Sequence, residues 1–158
     1  MHIIDGTTCL REVEQLIREY TQLLGRDLSF QKLEEELCDL LRKYSGTEGR
    51  LLAAVADDGC VAGCVAFHRL SKECCEMKRL YVKPSYQGQG IGQRLVETIL
   101  LIAKDDGYSC MVLDTIEPLQ SAIRLYRRFG FQETEPYYDN PMVDVLYMRS
   151  EEHTSELQ

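Results

Sequence analysis

Glu76-Met77-Lys78-Arg79-Leu80-Tyr81-Val82-Lys83-Pro84, followed at once by Gln87-Gly88-Gln89-Gly90-Ile91-Gly92, is the stretch whose reading decides the fold. The first part alternates as a strand and stops at Pro84, which cannot donate to a ladder. The second part places three glycines in five positions. Arg94-Leu95-Val96-Glu97-Thr98-Ile99-Leu100 then opens a helix, with Ile91, Leu95, Ile99 and Ile102 on one stripe. The order is strand, glycine loop, helix. Such a loop presents bare backbone N–H groups, and the positive end of the helix lies behind them, which makes a seat for phosphate. Two common phosphate motifs fail against this spacing. A P-loop needs Lys-Ser or Lys-Thr after a longer loop, and Gln93-Arg94 stands here. A dinucleotide fingerprint needs glycine at position 93. The spacing that fits is Q-x-x-G-x-G, from Gln87 through Gly90 to Gly92.

Outward from this loop, the chain reads as a mixture of helices and strands. Residues 2–4 suit a short strand. Val13, Leu16, Ile17, Tyr20 and Leu24 recur at helical spacing until Gly25. Leu33, Leu37, Leu40, Leu41 and Tyr44 predict a second, continuous helix. Strands over 51–56, 60–69 and 74–82, joined at Asp57-Asp58-Gly59 and Ser71-Lys72-Glu73, predict an antiparallel meander. The apolar run 110–114 after the glycine-loop helix predicts a strand parallel to the third. A helix starting at Pro118, with Ala122, Leu125, Tyr126 and Phe129 on its inner side, leads to closing strands at 131–134 and 143–148. The expectation is an α/β (α+β) fold in one domain, residues 1–149. Residues 150–158 carry little apolar content and read as a disordered tail or a cloning scar.

The chain has 158 residues, 44% of them hydrophobic, enough for one domain with a real core. A net charge of −8 with no basic segment argues against nucleic acid. The longest apolar run, 99–103, is too short to span a bilayer, and no charged-then-apolar leader opens the chain. The seven cysteines include no zinc-type pairs. Cys60 and Cys64 are about 13 Å apart in a strand, too far for a disulfide, and the adjacent Cys74 and Cys75 point to opposite faces. All seven are expected to be reduced thiols, without metal, in the cytoplasm.

About thirty residues beyond the glycine loop comes Ala122-Ile123-Arg124-Leu125-Tyr126-Arg127-Arg128-Phe129-Gly130-Phe131. The two blocks, in this order and at this separation, resemble the GNAT superfamily of N-acetyltransferases over residues 2–149. The first is similar to its acyl-CoA-binding motif and the second to its A-x-x-L-Y-x-x-x-G-F motif. The resemblance implies a GNAT-like mixed sheet with an antiparallel N-terminal meander, a splayed parallel pair and helices on both faces. It implies acetyl-CoA as co-substrate, with pyrophosphate on the amides of Gln87, Gly88, Gln89, Gly90, Ile91 and Gly92 and pantetheine along Leu80, Tyr81 and Val82. The acceptor it implies is a small-molecule or peptide amine, and a homodimer is an assembly the family often adopts. One departure is visible: the second block often has Asn three residues before its Ala, and Leu119 stands there.

Acetyl transfer to an amine needs a base, an oxyanion donor and an acid for the thiolate. The resemblance implies Tyr126 as acid, although its spacing alone reads as core. It implies Glu76, six residues before Val82, as base, against a plain surface carboxylate paired with Lys78 or Arg69. The Val82 N–H is implied as oxyanion donor. Tyr137 and Tyr138 read equally well as acceptor-pocket lining or as loop aromatics. Two other readings stay open at this point: a non-catalytic acyl-CoA sensor on the same scaffold, and a phosphate-binding domain for another nucleotide.

Overall fold

A computed structural model of the chain describes residues 1–26, 32–46 and 48–151. Seven strands form one sheet in the order β1-β2-β3-β4-β5-β7-β6. They are β1 (His2–Asp5), β2 (Gly49–Val55), β3 (Val61–Arg69), β4 (Cys74–Val82), β5 (Cys110–Ile116), β6 (Gln132–Glu133) and β7 (Val145–Glu151). Every neighbouring pair is antiparallel except β4 and β5, which are parallel. The helices are α1 (Leu10–Leu24), α2 (Leu33–Cys38), α3 (Leu40–Lys43), α4 (Ile91–Asp105) and α5 (Gln120–Arg128).

Strand alternation divides the core in two. On one face Leu52, Ala54, Val65, Phe67, Cys75, Met77 and Leu113 pack against Leu95, Val96 and Ile99 of α4 and Tyr126 of α5. On the other, Leu51, Ala53, Cys64, Ala66 and Tyr81 meet Val13, Leu16 and Ile17 of α1 with Leu37, Leu40 and Tyr44. This is the sandwiched sheet that the meander, crossover and amphipathic stripes predict.

Three expectations need correction. The helix predicted through Leu33–Tyr44 is broken at Asp39, whose φ of −150° is not helical. The Asp39 side chain instead accepts from Arg42 N and caps α3. Leu41, assigned to the buried stripe, is exposed as a result. The closing strand continues through Ser150, which is buried, to Glu151, because it pairs with β5 as far as Cys110. Strand pairing therefore claims the first two residues of the supposed tail, and residues 152–158 lie outside the described residues. The third correction concerns the thiols. Cys74 and Cys110 face each other across the parallel β4–β5 pair, 4.6 Å apart at Cα, and are joined as a disulfide. Sequence spacing could not show that the crossover returns position 110 beside position 74.

The strand that matters most for the site is β4. Its register against β3 shifts between Cys64/Tyr81 and Ala66/Lys78, so Arg79 and Leu80 together oppose Val65 as a bulge. Arg79 has φ +63°, a backbone state that costs a non-glycine residue roughly 1–3 kcal/mol. Its buried guanidinium meets Glu36 of α2, with Nε 2.8 Å from Oε2 and Nη2 3.1 Å from Oε1. Lys43 Nζ joins the same carboxylate at 2.8 Å. Burial raises the pKa of Glu36, but the Arg79 and Lys43 contacts outweigh it and bring it down to about 2.

Two tests follow from this packing. Glu36→Gln leaves the Arg79 charge buried and short of its partner, a loss of about 3 kcal/mol measured by urea unfolding at pH 7. Because the folded pKa of Glu36 is depressed, its contribution is fully present above the ordinary value of 4.5. It is expected to fade as the pH falls towards about 2, and to be missing from the variant. Thiol titration of denatured, unreduced protein is expected to count the five free cysteines, rising to seven after reduction.

Candidate active site

Beyond the bulge the parallel pair comes apart. β4 pairs with β5 only from Cys74–Glu76 against Cys110–Val112, while β5 runs on to Ile116 with its other edge on β7. Lys83 N donates to Ala62 O near the start of β3, at 2.8 Å. By strand alternation the N–H and C=O of Val82 therefore face away from β3, toward the gap. The Val82 carbonyl accepts from Gln87 Nε2 at 3.0 Å, which ties the glycine loop to the strand end.

Gly88 and Gly90 take φ of +82° and +81°, the left-handed state in which glycine pays no Cβ penalty. With Gly90 as N-cap, α4 has no side-chain cap. The amides of residues 88–93 donate to no acceptor among the described residues, whereas Gln87 N is taken by Pro84 O. Of the six loop amides expected to face a phosphate, the Gln87 amide is thus turned inward. The rest sit at the positive end of a 15-residue helix.

The gap and the loop form one cleft of about 640 Å³. Leu80, Tyr81, Val82, Gln87, Gly88, Gly90, Ile91 and Gly92 line one side, and residues 118–122, Leu125 and Tyr126 the other. Every cofactor-binding residue expected from the sequence lines it except Gln89. Leu119, in place of the family's Asn, is the N-cap of α5 and offers no side-chain cap bond.

A second, smaller cavity of about 80 Å³ adjoins the cleft and shares Tyr20, Leu24, Leu80, Leu119 and Tyr126 with it. Lys78, Asp114, Thr115 and Met142 complete much of its wall. At its edge Arg26 clamps Asp144 through two bonds of 2.6 and 2.8 Å. Tyr126 lies where the two cavities meet. Burial, with the neighbouring Tyr20 and Asp114, raises its hydroxyl pKa, so the phenol keeps its proton. Its hydroxyl makes no hydrogen bond to the described residues.

Glu76 is placed differently. It is buried and lines neither cavity. Oε1 is 2.6 Å from His68 Nε2, and Oε2 accepts from the Tyr137 hydroxyl at 2.5 Å. Burial pushes its pKa up, but the His68 bond, the Lys78 charge and the Tyr137 bond outweigh that and hold it below the ordinary range. The sequence pair Tyr126 and Glu76 is therefore not brought together around one cavity. Tyr137 and Tyr138 stand behind the small cavity, packed with Tyr147 at centroid distances of 5.3–5.8 Å, and hold carboxylates. Asp114, Tyr20 and Lys78 were missed by sequence reading, where Asp114 was only the polar end of an apolar strand.

The fold is shared with known proteins. An acetyltransferase of the GNAT family from Staphylococcus aureus Mu50 has the same fold, with a TM-score of 0.80 at 20% identity, over 96% of this chain and 98% of that one. A GNAT family acetyltransferase of Elizabethkingia anophelis, solved with acetyl-CoA bound, is 27% identical with a TM-score of 0.58, over 73% and 82% of the two chains. An uncharacterized N-acetyltransferase of Schizosaccharomyces pombe is 47% identical over 143 residues, 90% of this chain and 88% of its own. Residues 10–131 match the model of the acetyltransferase (GNAT) family. The chain belongs to that family, and it is an acyltransferase.

Proposed function

We propose that the cleft binds acetyl-CoA and that the protein moves its acetyl group to a primary amine by direct attack in a ternary complex. One observation carries this reading: the unpartnered amides of Gly88, Gly90, Ile91 and Gly92 and the open edge of β4 line a single continuous cleft with Tyr126 at its inner end. The amides and the α4 N-terminus would receive the pyrophosphate. The amide-rich pantetheine would lie along Leu80, Tyr81 and Val82 as an added strand, using backbone groups the splay leaves without a strand partner. The relative from Elizabethkingia anophelis, crystallised with acetyl-CoA, supports the choice of cofactor.

In this reading Val82 N–H faces the developing oxyanion, and Tyr126, a buried phenol that keeps its proton, gives it to the departing thiolate. The acceptor amine occupies the small cavity beyond. No metal is required. We assign the enzyme to the cytoplasm on its five free thiols among the described residues, against which the Cys74–Cys110 disulfide stands. Among the described residues no helix is long and apolar enough to cross a membrane. The acidic balance of −8 supports the absence of a nucleic-acid partner, and a homodimer is the assembly we assign by family likeness.

Gly90→Arg fills the phosphate seat and strains a backbone at φ +81°. Calorimetric titration with acetyl-CoA is expected to show binding by the wild type and at least a tenfold loss in the variant. Equal heats for both would discard the cleft as the cofactor site. Tyr126→Phe keeps the ring against Phe131, 5.8 Å away between centroids, and removes only the proton. Thiol release from acetyl-CoA is expected to fall about 100-fold in kcat with acetyl-CoA affinity kept, and unchanged turnover would remove Tyr126 as the acid.

A further inference from the structure

The small cavity needs a group that can take a proton from the acceptor nitrogen, and its two neighbouring carboxylates differ in what they have free. Both Glu76 oxygens are occupied, by His68 and by the Tyr137 hydroxyl. Asp114, near the end of β5, lines the cavity itself. Its Oδ2 accepts two bonds, from the Tyr138 hydroxyl and from Asn140 Nδ2 at 2.9 Å. Its Oδ1 accepts none among the described residues. Two donors from the segment before β7 thus fix the carboxylate by one oxygen and leave the other for the cavity. Asn140 is in turn held by Met142 N, which donates to its Oδ1 at 2.9 Å, and Tyr138 O accepts from the Tyr147 hydroxyl at 2.8 Å. Tyr147 sits directly opposite Asp114 on β7.

We propose that Asp114, not Glu76, is the catalytic carboxylate that anchors the acceptor ammonium and takes its proton, with Tyr138 and Asn140 as its positioning residues. This rests on the acetyltransferase reading of the cleft. The acceptor enters as an ammonium, and Asp114 Oδ1 takes one N–H proton, leaving a lone pair on nitrogen. That pair attacks the thioester carbonyl carbon. The C–N bond forms, and the C=O π pair moves to oxygen beside Val82 N–H. As the pair returns, the C–S bond breaks. Its electrons leave on sulfur, which takes the Tyr126 hydroxyl proton. The nitrogen of the adduct still holds one proton more than an amide needs, and that proton restores Tyr126. Asp114 passes its own proton to water, so the sum is amide, thiol and one proton.

The titratable groups facing Asp114 are consistent with this division. Tyr20 on α1, Tyr126 on α5, and Tyr137 and Tyr138 on the segment before β7 are phenols whose pKa values burial raises, so they stay neutral. Lys78 and Arg79 line the cavity from β4, Arg79 being paired with Glu36, and Arg26 at its edge is engaged by Asp144.

The test is the pH dependence of kcat/KM for thiol release from acetyl-CoA with lysine, glycylglycine, putrescine, tyramine and kanamycin as acceptor probes. It is run on the wild type, Asp114→Asn and Glu76→Gln, with acetyl-CoA affinity measured alongside by calorimetry. Asp114→Asn keeps a side-chain oxygen for Tyr138 and Asn140. It is expected to bind acetyl-CoA within threefold of wild type and to lose at least 100-fold in kcat/KM at pH 7. That deficit is expected to shrink as the pH nears the amine's own pKa, while Glu76→Gln keeps the wild-type acid limb whatever its rate. If Asp114→Asn keeps the wild-type profile, loses acetyl-CoA affinity in proportion, or leaves the acid limb to vanish in Glu76→Gln instead, the assignment falls and the transferase reading stands. No thiol release by the wild type with any probe, despite acetyl-CoA binding, overturns the transferase reading and this assignment with it.

Discussion

The buried ion pair between Arg79 and Glu36 is the constraint on which the site depends. A left-handed arginine in mid-strand is unfavourable, and nothing in β4 alone would keep it there. The pair supplies the reason from outside the sheet. To meet Glu36, the Arg79 side chain must leave the strand's alternation, and the extra residue this consumes becomes the bulge against Val65. The bulge turns the far half of β4 away from β5. Without that turn the parallel ladder would close over Met77–Val82, and there would be no edge for a ligand to lie along. A short helix of six residues, remote in sequence, thereby sets the width of the cleft.

The same surroundings sort the polar groups by task. Tyr126, Tyr137 and Tyr138 are all phenols with pKa values raised by burial, yet of these three Tyr126 alone lines a cavity, while the other two donate to carboxylates. Glu76 and Asp114 are both carboxylates held by tyrosine hydroxyls, but one is bound at two oxygens and the other at one. Residue type decides little here. The number of hydrogen-bonding positions left open decides which group can meet a substrate.

Much of the scaffold was legible in the sequence because its signals are local. The Asp-Gly turn, the meander, the glycine spacing and the apolar stripes of α1 and α4 each lie within a few turns or one hairpin. What escaped depends on tertiary approach. Asp39 broke a helix whose apolar spacing runs straight through it, because its side chain prefers to cap the next turn. Cys74 and Cys110 are 36 positions apart and meet only through the crossover. Asp114 closes an apolar run and carries no periodic mark. Its place in the cavity follows from where β5 continues after β4 has parted from it.

Gln87 carries a consequence that reaches across the whole cleft. Its side chain occupies the Val82 carbonyl, which in the proposed reading lies at the thioester end, while its neighbours Gly88, Gly90, Ile91 and Gly92 line the proposed phosphate end. The strand carbonyl is therefore not idle before a ligand arrives. A pantetheine amide that donates to it displaces an internal donor, so that bond adds only the difference between two similar hydrogen bonds. The freed side chain belongs to the loop that carries the proposed phosphate seat. In the proposed reading, whatever a ligand at one end requires of Gln87 is felt at the other, and such a coupling is reciprocal.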